Sequence, residues 1–376
     1  MTKDVEELLS RGVIEVIDRK NLEEKLQSGK KLRIKLGIDP TSPNIHIGRA
    51  IPLLKLRAFQ DMGHTAVFIV GDFTGMIGDT SDKDSERPML SKGQVQENMR
   101  TYLDQAFKIL DKNKTETYYN SRWLEKLGYL EVSNMANLFS VHEFTSREVI
   151  ARRLDTGQRV SAVEMFYPLM QGYDSVAVKA DVELGGTDQR YNLLAGRKIQ
   201  PLYNQEPQDI MMTELLEGTD GRKMSSSWGN VIPITDEAND MFGKVMSIND
   251  ELIKKYFELC TMVPMDEVEE IVKTHPKEAK MRLAYEITKI YHADVSARNA
   301  QENFEETFSK GGIPKDIKTV QAGLDTPLVE ILLEHGLVLS KTAFNRLSKE
   351  GAVNEIENGV YRIGKHRFIR IIRSNS

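Results

Sequence analysis

Cysteine occurs once in 376 residues, at Cys260, which excludes a disulfide framework and any cysteine-based structural zinc site and fits a reducing compartment. Long apolar runs are also missing. The longest is the short stretch from Ala66 to Val70, far below the roughly 18 residues that a membrane helix needs. The opening MTKDVEELLSRG has neither the basic start nor the apolar centre of a secretory leader. Repeats and low-complexity tracts are absent. These gaps predict a soluble, cytoplasmic protein with no membrane contact. What is present, 40% hydrophobic and 28% charged residues, supports two or three domains with substantial cores.

Strand text comes first in Leu32 to Ile38 (LRIKLGI), broken by the turn formers Asp39 to Asn44. Ile51, Leu54, Ala58 and Met62 then place an apolar stripe on a helix from about Ile47 to Met62, with Pro52 near its start and Gly63 at its end. A fully apolar strand, Thr65 to Gly71, follows. Strand, helix, strand in so short a span reads as a right-handed parallel crossover, the opening of a nucleotide-binding fold. The spacing of Met99, Leu103, Phe107 and Leu110 predicts helix through the Ser91 to Asp155 region, and Val182 to Leu184 before Gly185-Gly186 reads as a further strand. Beyond Ile234 the text is helical (251–260, 265–273, 277–291) up to a linker turn at Gly311 to Pro314. After Thr326 come two short amphipathic helices and alternating strand text rich in Arg and Lys.

Two segments suit phosphate chemistry. His46-Ile47-Gly48-Arg49 stands where the first strand hands over to its helix, so free N–H groups and the positive end of the helix dipole face the crevice. Gly48 permits close approach of a nucleotide to the backbone, and His46 is equally placed to cap the helix. Gly218 to Ser227 (GTDGRKMSSS) combines flanking glycines, two adjacent cations and three hydroxyls; such a loop either closes over a polyphosphate as charge develops or is ordinary surface. Tyr167, Gln171 and Asp174 recur at steps of 4 and 3 on one helix face, where they converge on a small ligand or on one another. The acidic run Asp79, Asp82, Asp84, Glu86 lacks the glycine and terminal glutamate of a calcium loop and reads as solvated charge around Lys83 and Arg87.

Taken together, the two phosphate segments resemble the HIGH and KMSKS signatures of class I aminoacyl-tRNA synthetases. Asp39-Pro40-Thr41, Gly78-Asp79, Tyr167 to Asp174 (YPLMQGYD) and Gly185 to Gln189 (GGTDQ) narrow the resemblance to the bacterial-type tyrosyl-tRNA synthetases, over essentially the whole chain. The resemblance implies an α/β chain: a Rossmann-like parallel-sheet catalytic domain at 1–230, an α-helical anticodon-side domain at 231–320, and a small α+β RNA-binding domain, ribosomal-protein-like, at 326–376. It implies tyrosine, ATP and tRNA(Tyr) as substrates, magnesium carried by ATP, no protein-bound metal, and a homodimer.

By the same resemblance Gly37, Asp39, Asp79, Tyr167, Gln171, Asp174 and Gln189 surround tyrosine. Asp79, Tyr167 and Gln171 take its ammonium group and Asp174 its phenolic hydroxyl. Thr41, His46, Gly48, Gly186, Asp188, Lys223, Met224 and Ser225 surround ATP, and His46, Arg49, Lys83, Arg87, Lys223 and Ser226 carry the chemistry, with Lys83 and Arg87 meeting pyrophosphate. Four positions depart from the family pattern: Arg49 replaces a usual histidine, Ser226 a second loop lysine, Lys35 a frequent tyrosine and Glu183 a frequent glutamine. The gain of a cation at Arg49 and its loss at Ser226 suggest mutual compensation.

Charge is unevenly distributed. Residues 326–376 hold 8 Lys/Arg against 5 Asp/Glu, within a chain of net charge -5. Lys341, Arg346, Lys349, Arg362, Lys365 and Arg367 are the candidate tRNA contacts, mostly to phosphate and shape; a solvated strand with Arg outward and Ile inward fits the same text. A tryptophanyl-type synthetase and a non-catalytic RNA-binding paralogue are the competing readings.

Overall fold

The computed structural model describes residues 3–80, 89–309, 317–324, 326–338, 340–357, 359–364 and 367–374. Lys83, Arg87, Lys365 and the 311–314 turn lie outside them. A six-stranded sheet comprises β1 (Val13–Ile17), β2 (Arg33–Ile38), β3 (Thr65–Val70), β4 (Thr115–Tyr119), β5 (Val182–Gly186) and β6 (Asp209–Thr213), in the order β1-β6-β5-β2-β3-β4. All neighbours are parallel except β1, which runs antiparallel to β6. Successive strands leave β2 on one side through β3 and β4, then return to its other flank as β5 and β6. The strand order therefore reverses between β2 and β5, and the crevice beyond their carboxyl ends is where such sheets bind ligands.

The interior strand β3 is buried at every position after Thr65, as a parallel strand covered on both faces must be. By contrast β4, TETYY, is partly exposed along its length at the sheet edge. It lies inside the region whose spacing predicts helix, and this is a correction: 91–155 is broken into short helices around an edge strand. Polar and aromatic β-formers hide an edge strand from a search for apolar periodicity.

The crossover helix, Ile47–Asp61, buries Ile47, Ala50, Ile51, Leu53, Leu54, Leu56 and Phe59. Pro52 within it has no N–H to close on the Gly48 carbonyl. The Val163–Val178 helix packs tightly on the Arg190–Ile199 helix because Gly172 leaves room: a Cβ there would stand 2.7 Å from Ile199 Cδ1 and 3.1 Å from the Ala195 carbonyl carbon. One apolar core runs without a break from Val5 through the sheet to Ala300 on the last long helix. That helix, Pro276–Ser309, is interrupted at Ala293 (φ 65°, ψ 169°), a backbone region that only glycine occupies freely.

A second sheet, β7 (Thr319–Gly323), β8 (Val353–Glu357), β9 (Val360–Ile363) and β10 (Arg367–Ser374), has the order β7-β10-β9-β8. Its own core joins Val320, Ile363, Ile369 and Ile371 to Ile331 and Leu332 of the Leu328–Glu334 helix. Pairing of β7 with β10 places the start of this unit at Thr319.

Candidate active site

A cleft of about 660 Å³ opens at the carboxyl ends of β2 and β5, at the point where strand order reverses. Every described residue assigned above to tyrosine, ATP or catalysis lines it: Gly37, Asp39, Thr41, His46, Gly48, Arg49, Asp79, Tyr167, Gln171, Asp174, Gly186, Asp188, Gln189, Lys223, Met224, Ser225 and Ser226. Lys83 and Arg87 fall outside the described residues.

On the side of the crossover helix, His46 is the N-cap, its Nδ1 accepting from the Arg49 N–H at 3.3 Å. Capping and lining the cleft are thus one role. Burial, with Arg49 and Lys223 adding to it, pushes the His46 imidazole down to about 3, so the ring is neutral and carries its proton on Nε2, since Nδ1 accepts. Gly48 is confined: a Cβ would meet the His46 ring at 3.2 Å and Met224 Sδ at 3.3 Å. Arg49 reaches Thr41 Oγ1 at 3.0 Å and the Tyr102 hydroxyl at 3.2 Å. Across the cleft Lys223 Nζ lies 3.1 Å from Asp188 Oδ2, both side chains partly exposed. The loop behind Lys223 is braced by Asn230, whose Oδ1 accepts from the Ser225 N–H and whose Nδ2 donates to Asp220.

On the other side lies a buried polar network. Asp39 accepts from Tyr167 OH at 2.9 Å and from Thr74 Oγ1 at 2.7 Å. Gly71 is obligatory there, because a Cβ would stand 2.0 Å from Asp39 Oδ1. Burial, then the Asp39 charge, raises the Tyr167 phenol well above its ordinary value, keeping it a neutral donor. Asp79 accepts from Gln189 Nε2 at 2.6 Å. Asp174 accepts from Trp123 Nε1 at 2.7 Å and Asn120 Nδ2 at 3.2 Å. Burial pushes its carboxyl up to about 7, against the opposing pull of Lys35 and these two donors. Asn120 and Trp123 escape sequence reasoning, since they follow the unforeseen β4; the only local signal is the turn-forming Asn-Ser after its tyrosines.

Lys35 and Glu183, departures when read singly, are a pair. Lys35 Nζ sits 2.8 Å from Glu183 Oε1, with both side chains wholly buried. It also donates to the Gln171 carbonyl and to Ser175 Oγ, each at 2.8 Å.

In the second unit Lys341, Arg346 and Lys349 on the Lys341–Lys349 helix, and Arg362 on β9 and Arg367 on β10, are exposed. Arg362 and Phe368 face each other across β9 and β10 on the solvent side. Arg367 instead turns to the Leu337 carbonyl, and Arg373 ties the carbonyls of Leu324 and Thr326 at 2.9 and 3.0 Å.

A neutral imidazole at a helix start, a partly exposed lysine against a carboxylate, and a network of polar side chains share one α/β crevice, an arrangement suited to an enzyme that joins a nucleotide to a small acid. A family model of the class I tRNA synthetases for tryptophan and tyrosine matches residues 27–309, and the chain belongs to that family. It is 44% identical to the tyrosine–tRNA ligase of Thermotoga maritima, over 97% of this chain and 96% of that one, and 43% identical to that of Shewanella oneidensis, over 98% and 99%. Among solved structures, the C-terminally truncated mitochondrial tyrosyl-tRNA synthetase of Aspergillus nidulans superposes with a TM-score of 0.69 at 21% identity, over 82% of this chain and 95% of that one. The Archaeoglobus fulgidus tyrosyl-tRNA synthetase complexed with L-tyrosine superposes at 0.64, with 21% identity, over 80% and 100%; both show the fold alone. The tryptophan-type and non-catalytic readings find no support among these curated relatives.

Proposed function

We propose that this chain is a tyrosine–tRNA ligase that activates L-tyrosine with ATP and passes the tyrosyl group to the 3′ end of tRNA(Tyr). The observation that carries the reading is the joining, in one cleft, of a buried carboxylate, Asp174, to the nucleotide apparatus of His46, Gly48, Asp188 and Lys223. Asp174 accepts from the substrate hydroxyl, while Asp79, Tyr167 and Gln171 hold its ammonium group, leaving the carboxylate directed at ATP. Gly37, Asp39 and Gln189 shape and brace that pocket.

In the first step a tyrosine carboxylate oxygen attacks the α-phosphorus in line, the bond from α-phosphorus to the bridging oxygen breaks, and pyrophosphate departs with the electron pair. In the second, a ribose hydroxyl of the terminal adenosine attacks the tyrosyl carbonyl, and AMP leaves. No side-chain nucleophile takes part. Acceleration comes from alignment of two bound reactants and from cations and donors that meet charge on the transferring phosphoryl group: the His46 Nε2–H, Arg49, Lys223 and the Ser226 hydroxyl, with Lys83 and Arg87 toward pyrophosphate. Thr41, Gly186, Met224 and Ser225 complete the nucleotide surface. Lys223 exchanges its Asp188 contact for the phosphates as ATP arrives, which releases Asp188 to the ribose.

Magnesium enters as the companion of the ATP phosphates, since it keeps most of its waters and binds largely through phosphate oxygens. Among the described residues no three His, Cys, Asp or Glu side chains gather to hold a metal ion. The chain works as a cytoplasmic homodimer. No described helix is long and apolar enough to cross a membrane. Catalysis belongs to 1–230, anticodon-side support to the helices that follow as far as Ser309, and RNA-backbone grip to the unit of the second sheet, which takes in Thr319–Gly323 as well as 326–376, through Lys341, Arg346, Lys349, Arg362, Lys365 and Arg367. ATP–pyrophosphate exchange with each of the twenty amino acids, without tRNA, tests the reading: exchange with tyrosine alone is expected, and exchange with another amino acid, or with none, overturns it.

A further inference from the structure

Lys35 is the only lysine wholly buried among the described residues, and it lies in the floor of the cleft. Its three partners are all on or against the substrate-facing turn: the Gln171 carbonyl and Ser175 Oγ, which bracket Asp174 on the Val163–Val178 helix, and Glu183 on β5. Glu183 in turn accepts from Gln171 Nε2 at 3.0 Å, from Ser175 Oγ at 3.1 Å, and from Gln208 Nε2. Gln171 is therefore held by its main chain through Lys35 and by its side chain through Glu183. A buried ion pair seldom adds net stability over an apolar replacement, so its persistence under a ligand pocket calls for another function.

We infer that Lys35 and Glu183 form a positioning pair for the amino-acid side chain, Lys35 fixing, through the Gln171 carbonyl and Ser175 Oγ, the helical turn that carries Asp174 so that the pocket selects a phenolic hydroxyl, and Glu183 limiting the effect of the Lys35 charge. The inference rests on the reading of Asp174 as the hydroxyl acceptor. The charged and titratable groups acting on Asp174 are Lys35 from β2, Glu183 from β5 and Tyr167 on its own helix, with Asp39 and Asp79 acting on Tyr167 from the same cleft; Asn120 and Trp123 add neutral donors. Of these charges only Lys35 is a cation. The Lys35 charge favours the ionised carboxyl and the Glu183 charge opposes it, so the two members of the pair have opposite signs of effect on one group.

That opposition is the test, because loss of a merely structural contact moves both variants the same way. Binding of L-tyrosine and L-phenylalanine to the full chain is measured from about pH 5.5 to 8.5 for Lys35→Met, Glu183→Gln and the double variant, with folding checked by thermal unfolding. For Lys35→Met the midpoint of tyrosine binding moves up by about one pH unit, and discrimination against phenylalanine at neutral pH falls about tenfold. For Glu183→Gln the midpoint moves down, and the double variant lies between them. Should Lys35→Met fail to fold because Glu183 is left as a buried unpaired anion, the downward shift in Glu183→Gln and the intermediate position of the neutral double variant still decide the matter. Unmoved midpoints, or shifts of the same sign, overturn the proposal. Asp174→Asn separates the layers: if it leaves the tyrosine-to-phenylalanine ratio unchanged, the acceptor reading fails and this inference with it; if it abolishes the ratio while the Lys35 and Glu183 variants match wild type, this inference alone fails.

Discussion

The two halves of the cleft use ion pairs in opposite ways. On the side assigned to the nucleotide Lys223 and Asp188 are 35% and 21% exposed, on a loop that leads to the exposed Ser226 and Trp228. On the amino-acid side Lys35 and Glu183 are 0% and 1% exposed, between adjacent strands of the sheet. An exposed pair costs little to open and is weak, which suits a cation that must leave its carboxylate to meet phosphate. A buried pair opens only at a cost of several kcal/mol (about 3–5), which suits a template that must not yield to a wrong side chain. On the proposed function, the first arrangement serves movement and rate and the second serves rigidity and choice.

The sharpest way to break that contrast is Lys223→Ala. Loss of one donor to a developing phosphoryl charge lowers the rate of adenylate formation about 100- to 1000-fold, while tyrosine affinity stays within about twofold; single-turnover kinetics read both. Asp174→Asn acts on the other half. Losing a hydrogen bond to a charged acceptor costs about 1.5–3 kcal/mol, so the preference for tyrosine over phenylalanine falls about 10- to 150-fold, with ATP affinity unchanged in equilibrium dialysis.

Proton concentration separates the halves without mutation. Burial pushes the Asp174 carboxyl up to about 7, and its anion accepts from a phenol more strongly than the neutral acid does, so tyrosine affinity falls as pH drops below that value. Folding has the opposite sign. A carboxyl raised from 3.8 in the unfolded chain contributes stability fully below that value, lost as pH rises through about 7. The apo protein therefore loses stability over the range in which tyrosine binding gains; urea midpoints and binding isotherms at matched pH check both slopes.

Arg49 and Ser226 sharpen the picture within the nucleotide half. If the Arg49 cation replaces the one missing at Ser226, then Arg49→His and Ser226→Lys couple in activation by about 0.5–3 kcal/mol, and additive effects in a double-mutant cycle refute it. The smallest effect lies away from the cleft. Ala293 holds a glycine-only conformation, so Ala293→Gly raises stability by about 1 kcal/mol, measured by thermal unfolding with no change in exchange rate.

Legibility in the sequence followed the same division. Contacts made by consecutive residues, such as Asp39-Pro40-Thr41, His46 to Arg49 and Gly185 to Gln189, were open to reading because local backbone and side chains act together, and the structure brings them to one cleft. Tyr167, Gln171 and Asp174 were reachable through helical spacing. What stayed hidden is tertiary: Trp123 and Asn120 reach Asp174 from beyond an edge strand masked by threonine and tyrosine. Lys35 and Glu183 looked like independent substitutions because strands β2 and β5, far apart in sequence, are neighbours in the sheet. Register alone pairs them, Lys35 opposite Glu183.

Rapid-quench adenylate formation by the full chain, with tyrosine concentration varied at each pH from about 5.5 to 8.5, tests the central division most directly, because it yields tyrosine affinity and the chemical rate constant separately. The account predicts that affinity rises through a midpoint near pH 7, set by Asp174, while the rate constant at saturating tyrosine and ATP stays flat. A flat affinity with a rate constant that follows the same midpoint would contradict it.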